Sequence, residues 1–519
     1  MEIEIKISKQ LNNETSKLSY YDEIIEFKLI GECYENINIA VDKVLKNIRG
    51  IEKTQIKIDG DCAFIVMYKG STYVYITETS NFLLYSCIKN DNIVISDDYL
   101  NLIDCNVQLN LNAIALLLSR FPVFPFDNVK VFQTSKIYKV DKNIEIIYTN
   151  TLVDSKQYKK MDIEQLSDVA YNLIVDAVYK RVKDINETIG IAMSGGIDSV
   201  VLAYCLHKLG KQICCIHWIS NQYDNFNEDE YALEFCNRYN IPLVKIDITA
   251  DIDNYEDYFL FKDKMLYPYI HGGISWWDKT YNELYKREIK FIITGLNGDY
   301  IFGTWFKRID NEHPDYLSDD FVLNYIEHQN SIPVYDVTTQ KKYEDNVKEK
   351  VLCSSKENEY SNDVQRILPV QLQRESMRLF LGKKYGIKEI APYIDLELMI
   401  FGNSISRYYK AIPYGGKIIT KCILKNAFFE HIPFSIISRN SKSTFGMLSE
   451  KVLVNNYIGI MRDIEKYSKG LENMLDFNKI KKLFSNENLI KENKFIILDL
   501  LFICKWLNRV EEIYEVDYV

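Results

Sequence analysis

The sequence lacks several things, and each absence removes a class of function. Its eleven cysteines, an odd number, never form a C-x-x-C pair. Neither a zinc site nor a disulfide framework is therefore indicated, and Cys214 with Cys215 falls inside an apolar run, as reduced core thiols do. No apolar stretch reaches bilayer length, because the windows 112–126 and 494–507 are broken by Arg120 and by Asp499 and Lys505. The opening MEIEIKISKQ alternates charge where a secretion signal needs an apolar core, so a cytoplasmic protein with no membrane partner is expected. A basic excess is missing too. The formal net charge of −10 opposes a long grip on nucleic acid, so no nucleic-acid partner is expected.

What is present starts with size: 519 residues exceed what one core normally serves, which predicts two or more domains. The most informative stretch is AMSGGIDSV, at 192–200. Ile189 and Ile191 mark a short buried strand from Thr188 to Met193, Gly195 and Gly196 make a turn, and Val200 to Leu209 carry a helical apolar pattern that stops at Gly210. A strand, a tight loop and a helix N-terminus present backbone N–H groups to an anion, and small residues let a phosphate chain approach closely. The Walker lysine is absent. Asp198 stands just inside the helix instead, and a carboxylate beside polyphosphate requires a divalent cation between them, so Mg²⁺ is expected with a nucleotide. A capped helix start uses the same residue types, and spacing by itself leaves that reading open.

Downstream, Gln212–Ile219 reads as a strand, Asn227–Tyr239 as a helix and Leu243–Ile248 as a strand. Such alternation predicts a parallel sheet whose ligands collect at the carboxyl ends of its strands, which places the segment Ile216 to Trp218 near a bound base, through backbone contacts that need no particular side chain. A second glycine turn lies in FIITGLNGDYIFGTW, at 291–305, where strand Phe291–Ile293 leads through Thr294-Gly295 and Asn297-Gly298 to Asp299. Two such turns in one sheet can face each other. The segment Tyr267–Trp277 has the composition of an aromatic loop, and 312–365 reads as a polar insert with no assignable chemistry.

SGGIDS, at 194–199, resembles the signature loop of the ATP pyrophosphatases, which split ATP into AMP and pyrophosphate, and its surroundings resemble the asparagine synthetase superfamily. The resemblance implies an α/β fold: an N-terminal-nucleophile-like αββα sandwich over 1–155, then a parallel-sheet ATP pyrophosphatase domain with a helical C-terminal part over 156–519. DGDCAFIVMYKGSTYVYITETSNFLLYSC, at 59–87, is similar to the glutaminase domain of that superfamily. Short strands are expected there at Cys62–Met67, Tyr73–Thr77, Phe82–Ile88 and Asn92–Ser96, flanked by helices near 37–48 and 112–119. In the family the glutaminase nucleophile is a cysteine exposed by methionine removal. Position 2 here is Glu2, which brings no nucleophilic sulfur, and Cys33, Cys62, Cys87 and Cys105 read as core packing. A glutaminase-dead branch is implied, like the β-lactam synthetases and lasso-peptide cyclases.

The same resemblance assigns roles. Ser194, Gly195, Gly196, Asp198, Ser199, Ile216, Thr294 and Gly295 would bind ATP, and Asp198 with Asp299 would hold Mg²⁺. Relatives carry an acidic residue or a tyrosine where this chain has Leu296, which moves no proton, so either another group acts as base or the nucleophile arrives neutral; Glu389 is a candidate base partner, although the family's acidic residue nearby aligns more naturally with Lys388. In EIAPYIDLELMIF, at 389–401, Asp395 is expected to cap a helix. GGKIITKCILKNAF sets Lys421 and Lys425 four apart, as on one helix face, and ISRNSKSTFG holds Lys442. Isolated lysine runs are usually solvated, but the order of these resembles the family's last elements, where lysines contact pyrophosphate and the tetrahedral intermediate; Lys442 and Lys421 are the catalytic candidates. A cation over a leaving phosphate is worth most in the transition state, so Lys442→Met is expected to lower turnover about a hundredfold or more while ATP binding survives. Full turnover in that variant would remove the assignment.

The implied reaction is that of an ATP-dependent ligase: it adenylates a small-molecule or peptide carboxylate, releases pyrophosphate and lets an amine displace AMP. With no ammonia source, the amine is expected on the substrate, as in lasso-peptide or β-lactam cyclisation, with a precursor peptide or a pathway partner protein. The alternative is an asparagine synthetase-like amidotransferase that uses free ammonia on an amino acid or sugar precursor.

Overall fold

Period-two burial builds the first part of the chain. In the strand Gly60–Tyr68, Cys62, Phe64 and Val66 face one apolar cluster, whereas Ala63 and Ile65 face another. A strand apolar on both faces must lie between two layers, and this one does. The computed structural model describes residues 3–7, 11–20, 23–50, 55–103, 106–118, 124–150, 156–221, 228–260, 273–303, 341, 377–414, 417–439 and 445–519. Helix α1 (Ile37–Ile48) covers the outer face of a six-stranded antiparallel sheet with the order Ile144–Thr149, Lys136–Val140, Ser71–Ile76, Gly60–Tyr68, Glu23–Cys33 and Asn13–Tyr20. Its inner face packs through Ile65, Val74 and Ile76 on Leu84, Ile93 and Ile95 of a four-stranded sheet, whose order is Ile3–Lys6, Asn92–Ser96, Leu84–Lys89 and Lys130–Phe132. The outer face of that smaller sheet meets α2 (Leu111–Leu118). The layers are those of an αββα sandwich.

The fourth layer departs from expectation. An eight-residue helix is about 12 Å long and leaves much of a sheet face bare. The remainder is closed from the far end of the chain by α11 (Lys494–Glu511), whose Trp506 meets Phe126 edge-on at 5.8 Å. One apolar cluster joins Tyr85, Tyr99 and Phe126 to Val452, Leu501 and Trp506. The chain then ends as a strand, Glu515–Tyr518, paired in parallel with Asn106–Leu109. The terminal apolar helix seals a core shared by both parts, because the exposed face of the small sheet needs covering.

The second part alternates strand and helix. After α3 (Ile163–Val182), whose Asp162 and Gln165 form a reciprocal capping box, five parallel strands follow: β1 (Ile189–Ala192), β2 (Ile213–Ile219), β3 (Leu243–Asp247), β4 (Phe291–Ile293) and β5 (Lys388–Ile390). Their spatial order is β3-β2-β1-β4-β5, with β1 central. Alternate residues again serve opposite faces: Cys215 joins the cluster under α3 and α4 (Ile197–Lys208), while Cys214 and Ile216 join one built on α6 (Ile274–Lys286). Trp276 and Trp277, read as part of an aromatic loop, are therefore helical, and Trp276 is buried. Among the described residues no helix is long and apolar enough to cross a membrane.

Candidate functional site

Strand register decides where the two glycine loops emerge. β1 and β4 are hydrogen-bonded neighbours with Ile189 opposite Phe291 and Ile191 opposite Ile293, so both loops leave the same edge at the same height. Each then enters a helix, α4 on one side and α7 (Gly298–Phe302) on the other. Asp198 and Asp299 are each the second residue of their helix, where a carboxylate also meets the positive end of the helix dipole. The loops interlock. A Cβ on Gly298 would lie 2.7 Å from Asp198 Oδ1, and one on Gly295 would lie 3.2 Å from Asp198 Cβ, so the second turn is glycine because the Asp198 side chain fills that space.

The first loop is stitched by its serines. Ser194 Oγ accepts from Gly196 N–H at 3.3 Å, Ser199 Oγ accepts from Ser194 N–H at 3.2 Å, and Ser199 donates to the Gly196 carbonyl at 3.1 Å. Gly195 turns at φ +74°, a conformation that favours glycine, and leans on the Glu228 carbonyl at the start of α5 (Asp229–Tyr239). Beneath it Tyr393, fully buried, donates to the Asp198 carbonyl at 3.0 Å.

Between the carboxylates stands Lys421. Its Nζ pairs with Asp198 Oδ2 and, at 2.6 Å, with Asp299 Oδ1. Burial opposes the charged ammonium, but the two carboxylates outweigh it and hold the Lys421 pKa above its ordinary value. The backbone cooperates: Lys421 follows the hairpin Ala411–Tyr414 and Lys417–Thr420, donates its N–H to the Lys410 carbonyl at 2.8 Å, and adopts φ +60°. A left-handed lysine costs about 1–2 kcal/mol, strain of the kind that concentrates at functional sites. This corrects the picture of two lysines on one helix face. Lys421 precedes α9 (Cys422–Ala427), whereas Lys425 lies within it and donates to the Arg439 carbonyl at 2.7 Å.

The remaining predicted residues sort clearly. Thr294 is buried, and its hydroxyl donates to Glu389 Oε1 at 2.6 Å, which brings a carboxylate onto the second loop beside half-buried Leu296. The neighbouring Lys388 turns away to pair with Glu32 of the sandwich. Ile216 lies deeper than expected: its side chain is in the core and its carbonyl accepts from Met193 N–H at 2.8 Å. Asp395 caps α8 (Leu396–Ser404), accepting from Glu397 and Leu398 N–H at 3.1 and 3.3 Å, as its sequence context predicts. Lys442 and Glu2 lie outside the described residues, as do 261–272 and all of 312–365 except Lys341.

Sequence reasoning missed a second clasp. The Glu228 carboxylate, at the start of α5, pairs with Arg439, whose guanidinium lies 4.6 Å from the centre of the Tyr231 ring. Nothing local in Glu228 announces a partner two hundred positions away.

The site fits a magnesium ion of one kind. Two carboxylates already converge on a single cation, and Mg²⁺ typically takes one or two carboxylates with substrate phosphates completing its shell. A resident metal held by protein alone does not fit, since no group of three His, Cys, Asp or Glu able to hold one occurs among the described residues.

Comparison with known proteins places this geometry. Over 203 residues the chain is 23% identical to the microcin J25-processing protein McjC of Escherichia coli, covering 38% of each sequence. It thus spans well under half the length of that relative. Among solved structures, the U34-tRNA thiolase NcsA from Methanococcus maripaludis aligns at 14% identity over 60% of this chain and 86% of that one, with a TM-score of 0.24. The NH3-dependent NAD synthetase from Campylobacter jejuni aligns at 17% identity over 42% and 96%, with a TM-score of 0.21. The assignment rests on neither structure. Residues 170–495, more than half of the 519, match the asparagine synthase family model in a span that takes in both glycine loops and the lysine between them, and the chain belongs to that family.

Proposed function

We propose that the chain is an ATP-dependent ligase that adenylates a carboxylate, releases pyrophosphate and closes an amide with an amine carried by the same substrate, a peptide. The observation that carries the reading is the convergence of Asp198 and Asp299, from two separate glycine loops, on one buried cation position. Mg²⁺ bound there would neutralise the polyphosphate and the departing pyrophosphate. The chain's own part is to hold the tail against the Ser194–Gly196 loop, keep the carboxylates aligned and supply cations at the leaving phosphate from Lys421 and Lys442. The peptide substrate is supported by the likeness to a microcin-processing protein.

In this reading the base that relieves the attacking amine of its proton is Glu389, standing at Thr294 where Leu296 offers nothing. Glu389→Gln is then expected to slow amide formation about a hundredfold or more while pyrophosphate exchange into ATP, which needs no base, continues. Equal loss of both activities would move Glu389 from proton transfer to structure.

The test of the whole reading is direct. Purified protein, ATP, Mg²⁺ and a peptide bearing a side-chain carboxylate and a free α-amine should yield AMP, pyrophosphate and a product lighter by one water. Turnover that requires added ammonium and leaves the amine untouched would establish the ammonia-using amidotransferase instead.

A further inference from the structure

Lys421 sits where the metal belongs. Its ammonium is 8% exposed as a residue, paired with both carboxylates and held there by a left-handed backbone and the hairpin behind it. We infer that this ammonium is an exchangeable stand-in for the divalent cation, so that the protein refuses metal by itself and accepts it only together with a polyphosphate. The inference rests on the reading of Asp198 and Asp299 as the metal ligands.

The argument is one of charge. Among the described residues, the two carboxylates and the one ammonium paired with them carry a net charge of about −1, too little to draw a strongly hydrated divalent ion from water. A metal arriving alone would have to evict a buried ammonium that pairs with no other anion among the described residues. A nucleotide changes both conditions at once: its phosphates supply the missing metal ligands and offer Lys421 a new anionic partner. The route for exchange is open, because the Asp299 side chain is 57% exposed while that of Asp198 is 11% exposed. One carboxylate anchors the pair and the other faces solvent.

The experiment needs no substrate and no turnover. Wild-type protein, Lys421→Met and Lys421→Gln are titrated with Mn²⁺ in the absence of nucleotide, and free Mn²⁺ is read by electron paramagnetic resonance. Wild type should bind weakly, and Lys421→Met should bind one Mn²⁺ about tenfold or more tighter, because removal of the ammonium leaves two facing carboxylates. Lys421→Gln, whose amide can still bridge both acids if the methionine variant does not fold, should fall between. Adding Asp299→Asn to Lys421→Met should abolish the gain, and ATP should raise the Mn²⁺ affinity of wild type. Equal Mn²⁺ affinity in wild type and either folded variant overturns the inference, as does tight nucleotide-free binding by wild type. If the Mn²⁺ pattern holds but no AMP or pyrophosphate is ever formed, the exchange stands and the ligase reading falls.

Discussion

Asp198→Asn is expected to lower pyrophosphate release about a thousandfold at saturating ATP, with the fold intact. Asparagine preserves the volume that the missing side chains of Gly298 and Gly295 leave open, so the interlocked loops need not move. Its amide lacks the charge that, in the proposed reading, would fix a cation beside the polyphosphate, and that charge would be worth most as negative charge develops on the leaving group. Folding is spared because Lys421 keeps Asp299 as a partner at 2.6 Å, and a buried ammonium with one carboxylate is not stranded. The loss should therefore appear in turnover, measured as AMP and pyrophosphate formed, with an unchanged circular dichroism spectrum. A variant within about threefold of wild type would remove Asp198 from the chemistry.

That expectation could be framed from sequence because the two loops announce themselves. A β-branched strand, paired glycines and a helix-forming run are local signals, and α1, β1 and β4 lie where the sequence pattern places them. The facing of the loops was legible too, given a parallel sheet. What was not legible depends on contacts between distant segments. β5 is three residues long, and its place beside β4 is fixed by pairing rather than by its own pattern. The apolar face of α11 was evident, but an apolar stripe does not say which surface it will cover, and here that surface is a sheet formed nearly four hundred residues earlier. Lys421 was singled out for its position after the Asp395 element. Its left-handed backbone and its grip on two acids were invisible, since lysine has no preference for that conformation and the acids lie on other elements.

Arg181→Met should be strongly destabilising, costing about 3–5 kcal/mol, because it strands a buried carboxylate. The Arg181 and Asp395 side chains are each 2% exposed and paired at 3.0 Å. The same guanidinium donates to the Ile394 carbonyl at 2.6 Å and to the Ala177 carbonyl at 3.0 Å, and it lies 5.1 Å from the centre of the Tyr34 ring in the sandwich. Methionine fills the volume but meets none of these oxygens. Lys180 moderates the loss: it stands 3.7 Å from Asp395, though it is engaged more closely by Asp59 at 2.6 Å and Asp176 at 2.8 Å. A lower urea midpoint measures the cost. The double variant Arg181→Met with Asp395→Asn should recover a large share of it, because asparagine caps a helix about as well as aspartate and leaves no charge to strand. Failure to recover would mean that the carbonyl bonds, not the ion pair, carry the stability. The damage should also reach the active edge of the sheet. Asp395 caps α8, Gly402 of α8 lies so close to Ile301 of α7 that a Cβ there would meet it at 3.0 Å, and α7 carries Asp299, so loosening the cap releases one of the two acids from its alignment. Pyrophosphate release by Arg181→Met should then fall at temperatures where the protein remains folded, and the double variant should restore it in proportion to the stability regained.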